Sequence, residues 1–413
     1  MSASIEQKTR SAYLWTRLLS VPFWGLISLL SMILYKDMQI SPLQITLILT
    51  LKPMSALLAP YWSQAIHQKP HRLLSNMVWA NILRFLPFLF MPWISSAWVI
   101  ILAFGAYMML YRGVIPAWME TIKCNMPPQQ GEKLISFGST IDYCGTALLP
   151  FGLGILLDQY EQSWRWLFPL TAGLGLISTL FLLRIPRIKN EQEPPPHQGF
   201  WQIFKETAVN PWKQSWGLVR ENSGFAAYQI GFMLGGAGLM IMQPALPIFF
   251  VDVLNLSYTN MLLALTAFKG IGVVIASPFW LKLFQKRDIY YFSGLVTALA
   301  GLFPLFLLGA QFNPLLLYAA YALYGIMQSG SELSWHMSGP IFAKEKESTL
   351  YSGTNVLTVG IRGCIVPALG ALLFSMTNST TIILLGSLFC FLSNRYLMNY
   401  SKKLKFIVNK SIS

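Results

Sequence analysis

Twelve apolar stretches, each about as long as a bilayer crossing, succeed one another between residues 13 and 398. A hydrocarbon core about 30 Å thick takes roughly 20 helical residues. The stretches fall at 13–35, 42–62, 72–92, 96–119, 134–157 and 165–184, then at 224–250, 259–282, 289–310, 314–336, 348–374 and 378–398. Only 11% of the residues are charged and 54% are hydrophobic. A soluble domain carries about 25% charge, so this chain lacks the polar surface to face water on all sides. That excludes a soluble enzyme, a disordered protein and a disulfide-stapled secreted domain. The expected class is an all-α integral membrane protein. No small-residue cleavage site follows the first apolar run, so it reads as a retained span rather than a removable signal peptide.

The longest polar stretch, 185–222, separates six spans from six and contains the run RIPRIKNEQEPPPHQ. Its prolines and charges cannot continue a helix and mark a linker. The following GFWQIFKETAVNPWKQSWGLVREN mixes Trp and Phe with Lys and Arg, as an amphipathic helix lying on a membrane does. The expected organisation is an N-terminal bundle at 1–184, a linker at 185–222 and a C-terminal bundle at 223–413.

A net charge of +14 invites a nucleic-acid reading, but the basic residues sit in short connectors between apolar stretches. With the N-terminus inside, 23 of the 30 Lys and Arg fall on the cytoplasmic side. The outer side holds Lys36 and Arg165, and five more lie within spans. Basic residues are retained inside during insertion, which places both termini and the linker in the cytoplasm, in an inner or plasma membrane. The partners expected are a small solute, membrane lipid and the proton as candidate coupling ion, with no nucleic acid. Cys124, Cys144, Cys364 and Cys390 show no CxxC spacing, so no disulfide framework, metal site or cofactor is expected.

The two halves resemble each other. LKPMSALLAPYWSQAIHQKPHR in the second span aligns with FKGIGVVIASPFWLKLFQKRD in the eighth. Lys52 falls opposite Lys269 and Ala59 opposite Ala276, and Pro60-x-Trp62 matches Pro278-x-Trp280 after one insertion. In the fifth and eleventh spans Gly138, Gly145 and Pro150 match Gly353, Gly360 and Pro367. An internal six-helix duplication is a property of secondary transporters, with the site at the repeat interface. Six helices, a long cytoplasmic linker and six more resemble the major facilitator superfamily, as does Arg112-Gly113 in the fourth span. That family's loop after the second helix has a Gly-x-x-x-Asp-Arg-x-Gly-Arg-Arg pattern; here SQAIHQKPHR keeps the basic character without the Gly and Asp. The resemblance implies twelve helices in two pseudo-symmetric six-helix bundles, moving a solute by alternating access.

Ionisable groups within spans are costly and are functional candidates by default. Lys52, Arg84, Arg112, Lys269 and Arg362 face only Asp142 and Glu332. Lys52 and Lys269 stand near span midpoints, where snorkelling is hardest, and Arg362 lies among glycines. Arg84 is expected to be structural, because the resemblance implies a peripheral third helix. Asp142 and Arg112 form the natural pair of the first half, and a carboxylate exchanging a basic partner for a proton couples protons to transport. Glu332 and His336 are four apart on one helix face. The pathway candidates are therefore Lys52, Arg112, Asp142, Lys269, Glu332, His336 and Arg362. The cation excess points to an organic anion or zwitterion as substrate. Two rivals stay open: a non-transporting receptor or assembly factor on this fold, and an efflux carrier for cationic amphiphiles. No HExxH or paired-carboxylate motif supports a membrane enzyme.

Overall fold

A computed structural model describes residues 2–68, 73–185, 209–343 and 348–412. The run RIPRIKNEQEPPPHQ and the start of the expected surface helix lie largely outside the described residues, as do the basic loop residues Lys69, Arg72, Lys344 and Lys346. The chain divides into two compact units, one of Met1–Thr207 with Ser257–Thr259, the other of Ala208–Leu256 with Asn260–Ser413.

The first unit holds α1 (Ser2–Ser28), α2 (Leu30–Met38), α3 (Pro42–Gln68), α4 (Leu73–Phe85), α5 (Ala97–Asn125), α6 (Pro128–Gln159) and α7 (Trp164–Leu182). The sequence reads its first span as one helix; the structure bends it by 47° between α1 and α2. At the joint the Leu29 amide reaches back three residues to the Leu26 carbonyl, and the Ser28 hydroxyl takes the Gly25 carbonyl at 2.6 Å. Side-chain competition of this kind, nearly two turns after Pro22, is a known cause of helix kinks. After α4, Pro87 lacks the N–H that would continue an α-helix, and Leu86–Trp93 tightens into a 3₁₀ turn.

Aromatic packing holds this unit together. Phe23 sits among Phe85, Phe88, Tyr107 and Phe168, its ring centroids 4.8 to 5.8 Å from theirs. The buried Asn81 ties α4 to α7, its amide reaching the Gly175 carbonyl and the Ser178 and Thr179 hydroxyls at 2.7 to 3.2 Å.

The second unit holds α8 (Asn210–Glu221), α9 (Ser223–Ile241), α10 (Lys269–Lys286), α11 (Ile289–Gly309), α12 (Leu315–Ala343), α13 (Ser348–Met376) and α14 (Ser379–Ile412). Helix α8 realises the described part of the expected amphipathic segment. It packs Leu218 and Val219 onto the Phe225–Tyr228–Leu397 core and exposes Trp212, Lys213, Trp216 and Arg220. Spans seven and eight are not uniform: each contains a π turn, at Phe249–Val253 and Leu263–Phe268. Between α10 and α12 the backbones nearly touch. A methyl group on Gly272 would overlap the Ala322 carbonyl, and one on Gly325 would overlap that of Lys269. Only glycine on both sides permits this approach. Trp280 locks the same pair by donating to the Ile326 carbonyl at 2.7 Å.

Among the described residues eight helices are long and apolar enough to cross a membrane, nine with the bent first pair.

Candidate functional site

In the first unit, α1, α4, α5 and α6 enclose a cavity of about 110 Å³ whose lining includes Arg17, Trp24, Arg84, Tyr111, Trp118 and Asp142. Arg17 donates to Asp142 at 2.5 Å, both side chains remaining part-exposed. This corrects the expected pairing: Arg112 makes no ion pair among the described residues, and its Nε is buried without a hydrogen-bond partner. Arg112 instead lies within electrostatic reach of Lys52, cation beside cation. The exposed Lys52 places its ammonium 5.6 Å over the Trp24 ring, which in turn stacks on Tyr111 at 4.9 Å.

Arg84 is the most enclosed charge here. It is 4% exposed, its Nε has no partner, and it forms no ion pair among the described residues. Its guanidinium lies 4.6 Å from the Phe85 centroid and 5.8 and 5.9 Å from Tyr111 and Tyr107. Contacts of this kind each return about 0.5–2 kcal/mol. The effective cost of desolvating an ion is several kcal/mol, so the rings leave the charge under-compensated.

In the second unit a cavity of about 180 Å³ is lined in part by Phe232, Gly236, Ser293, Tyr324, Ser334 and Arg362. Arg362 is 8% exposed. Its Nη1 donates to the Phe232 carbonyl at 2.8 Å, the guanidinium carbon lies 5.4 Å from that residue's ring, and its Nε is unpartnered. A Cβ on Gly236 would occupy the space of the guanidinium, so glycine there makes room for the arginine. Lys269 places its ammonium 5.2 Å over the Tyr324 ring, and Glu332 lies within electrostatic reach of the same tyrosine. Tyr324 thus gathers two of the predicted residues. On the helix face that Glu332 shares with His336, Glu332 accepts from Gln328 at 2.9 Å, while exposed His336 rests on Trp335.

A neutral polar network beside Arg362 is one feature that reasoning from the sequence missed. Ser334 bonds the Tyr228 hydroxyl at 3.1 Å and Ser293 at 2.6 Å. Asn355 accepts from Gln229 and donates to Ser338 at 2.6 Å, and Thr358 donates to Gln229 at 3.2 Å. The available signal was the i,i+4 placement of Ser334 and Ser338 within the polar run Gln328–Ser338 of an apolar span.

A sequence model described as Major Facilitator Superfamily matches residues 16–367. The chain belongs to the major facilitator superfamily. Membership makes it an integral membrane transporter and not an enzyme. Solved structures of superfamily transporters share the fold at low identity. A mutant of the peptide transporter POT is 12% identical with a TM-score of 0.72, covering 95% of this chain and 94% of its own. The nucleoside transporter NupG is 13% identical with a TM-score of 0.68, covering 96% and 98%. A bacterial homologue of the human lysosomal transporter Spinster, inward-facing and unoccupied, is 13% identical with a TM-score of 0.65, covering 96% and 98%. No curated protein sequence matches the chain. Within this superfamily member, the charges singled out from the sequence lie in both units, and Asp142 pairs with Arg17 where Arg112 was expected.

Proposed function

We propose that the protein is a secondary carrier for a small organic anion or zwitterion, working by alternating access in an inner or plasma membrane with both termini cytoplasmic. The observation that carries this reading is the charge imbalance within the apolar spans. Arg17, Lys52, Arg84, Arg112, Lys269 and Arg362 stand against Asp142 and Glu332, and Arg84 and Arg362 each keep an unpartnered Nε. Buried cations need compensation, and a solute carboxylate supplies it. The Arg17–Asp142 pair is the coupling candidate. A part-exposed carboxylate that releases its guanidinium on protonation links a proton to a change of conformation. The asymmetric distribution of Lys and Arg supports the orientation.

The test is uptake into proteoliposomes of anionic, zwitterionic and cationic solutes, with and without a proton gradient. Anions or zwitterions accumulate and cationic amphiphiles do not. Asp142→Asn removes accumulation driven by the proton gradient while counterflow exchange persists. Transport of cationic amphiphiles alone defeats the anion reading; unchanged proton-driven accumulation in Asp142→Asn defeats the coupling role.

A further inference from the structure

The small cavity within the first unit has properties that a purely structural void lacks. Its walls combine apolar side chains, Val21, Trp24, Val114 and Trp118, with Arg84 and Thr16. Both polar residues are almost wholly buried, and both present an atom with no hydrogen-bond partner: Nε of Arg84 and Oγ1 of Thr16. Arg17 lies near enough to Arg84 for the two guanidinium groups to repel. Asp142 engages Arg17, which leaves the positive charge of Arg84 without a counter-ion among the described residues. Unsatisfied buried polar groups in a native structure call for an explanation. Here an anion beside Arg84 would satisfy the guanidinium, accept from the Thr16 hydroxyl and relieve the repulsion from Arg17.

The size of the cavity limits the guest. An engineered apolar cavity of about 150 Å³ admits benzene; this one, of about 110 Å³, takes a carboxylate with a short hydrocarbon tail. We propose that the cavity between α1, α4, α5 and α6 is a binding subsite for a small monocarboxylate, with Arg84 as the anionic anchor and Thr16 as a second donor. This assigns Arg84 a ligand in place of the structural role expected from its position on the third span. It rests on the anion-carrier reading and narrows the anion to its carboxylate end. An amine would meet the like charge of Arg84, and an alcohol would leave that charge uncompensated.

The test uses the purified full chain in detergent, with butyrate, butylamine and butanol as probes and calorimetry as the readout. Butyrate is expected to bind at least tenfold tighter than butanol, and butylamine weakest. Arg84→Gln abolishes the preference for butyrate, and Arg84→Lys restores part of it. Should Arg84→Gln fail to fold, Thr16→Val, nearly isosteric, decides: it weakens butyrate severalfold and leaves butanol unchanged. Equal binding of butyrate and butanol overturns the subsite, as does butyrate affinity untouched by the substitutions in folded protein. These outcomes are separable from the transport reading. Uptake of organic anions that is insensitive to Arg84→Gln sinks the subsite and keeps the carrier. Butyrate binding that depends on Arg84, without uptake of any anion, keeps the subsite and sinks the carrier.

Discussion

Arg362 and its glycine show how one missing methyl group positions a charge. The guanidinium occupies the volume that a Cβ on Gly236 would fill, and from there it holds the Phe232 carbonyl. Because the clashing atoms are the far end of a flexible side chain, Gly236→Ala should displace the guanidinium rather than disrupt the helix. We expect a stability change below about 1 kcal/mol, in line with substitutions that strain no core backbone, together with a clear loss of transport. Thermal melting in detergent and proteoliposome uptake separate the two effects; a large fall in melting temperature would contradict the local account. At this scale the identity of the charged residues was legible in the sequence, but their partners were not. The i,i+4 spacing sets both His336 and Gln328 on the face of Glu332, and the hydrogen bond to Glu332 comes from Gln328. Arg17 stands near the start of an apolar run and so reads as a cytoplasmic-side charge. Its partner lies 125 residues away, a separation no local pattern reports.

Helices α10 and α12 form the tightest seam in the second unit. The Gly272 and Gly325 sites face backbone carbonyls, which cannot rotate away as a side chain can. Gly272→Ala and Gly325→Ala should each cost about 1–3 kcal/mol, the usual range for overpacking, and should lower the melting temperature more than Gly236→Ala does. Equal shifts for all three would show that the seam opens freely. The seam also sets Lys269 beside Tyr324, one residue before Gly325. A Gly270-x-Gly272 run permits close helix contact or bending; Gly272 makes such a contact, whereas a Cβ on Gly270 would meet open space. The π turns in spans seven and eight left no such trace, because an extra residue in a turn does not alter apolar composition.

For the whole chain, the alternation of long apolar runs and basic connectors carried most of the information. It pointed to a superfamily that the sequence model confirms over residues 16–367. The same distribution of charge makes a topological prediction: tags at either terminus, and a protease site inserted near residue 195, are cut in inside-out vesicles and protected in right-side-out ones. The reverse pattern would overturn the orientation. Length and polarity delimited the first span but hid its break, since neither responds to the competition of Ser28 for the Gly25 carbonyl. That break has a mechanical consequence. A straight rod transmits torsion from end to end; a span jointed at Leu29 does not. The segment from Leu30 to Met38 runs 47° off the axis of the arm bearing Arg17 and Trp24, so a push along that segment meets the ion pair around a corner and not along a line.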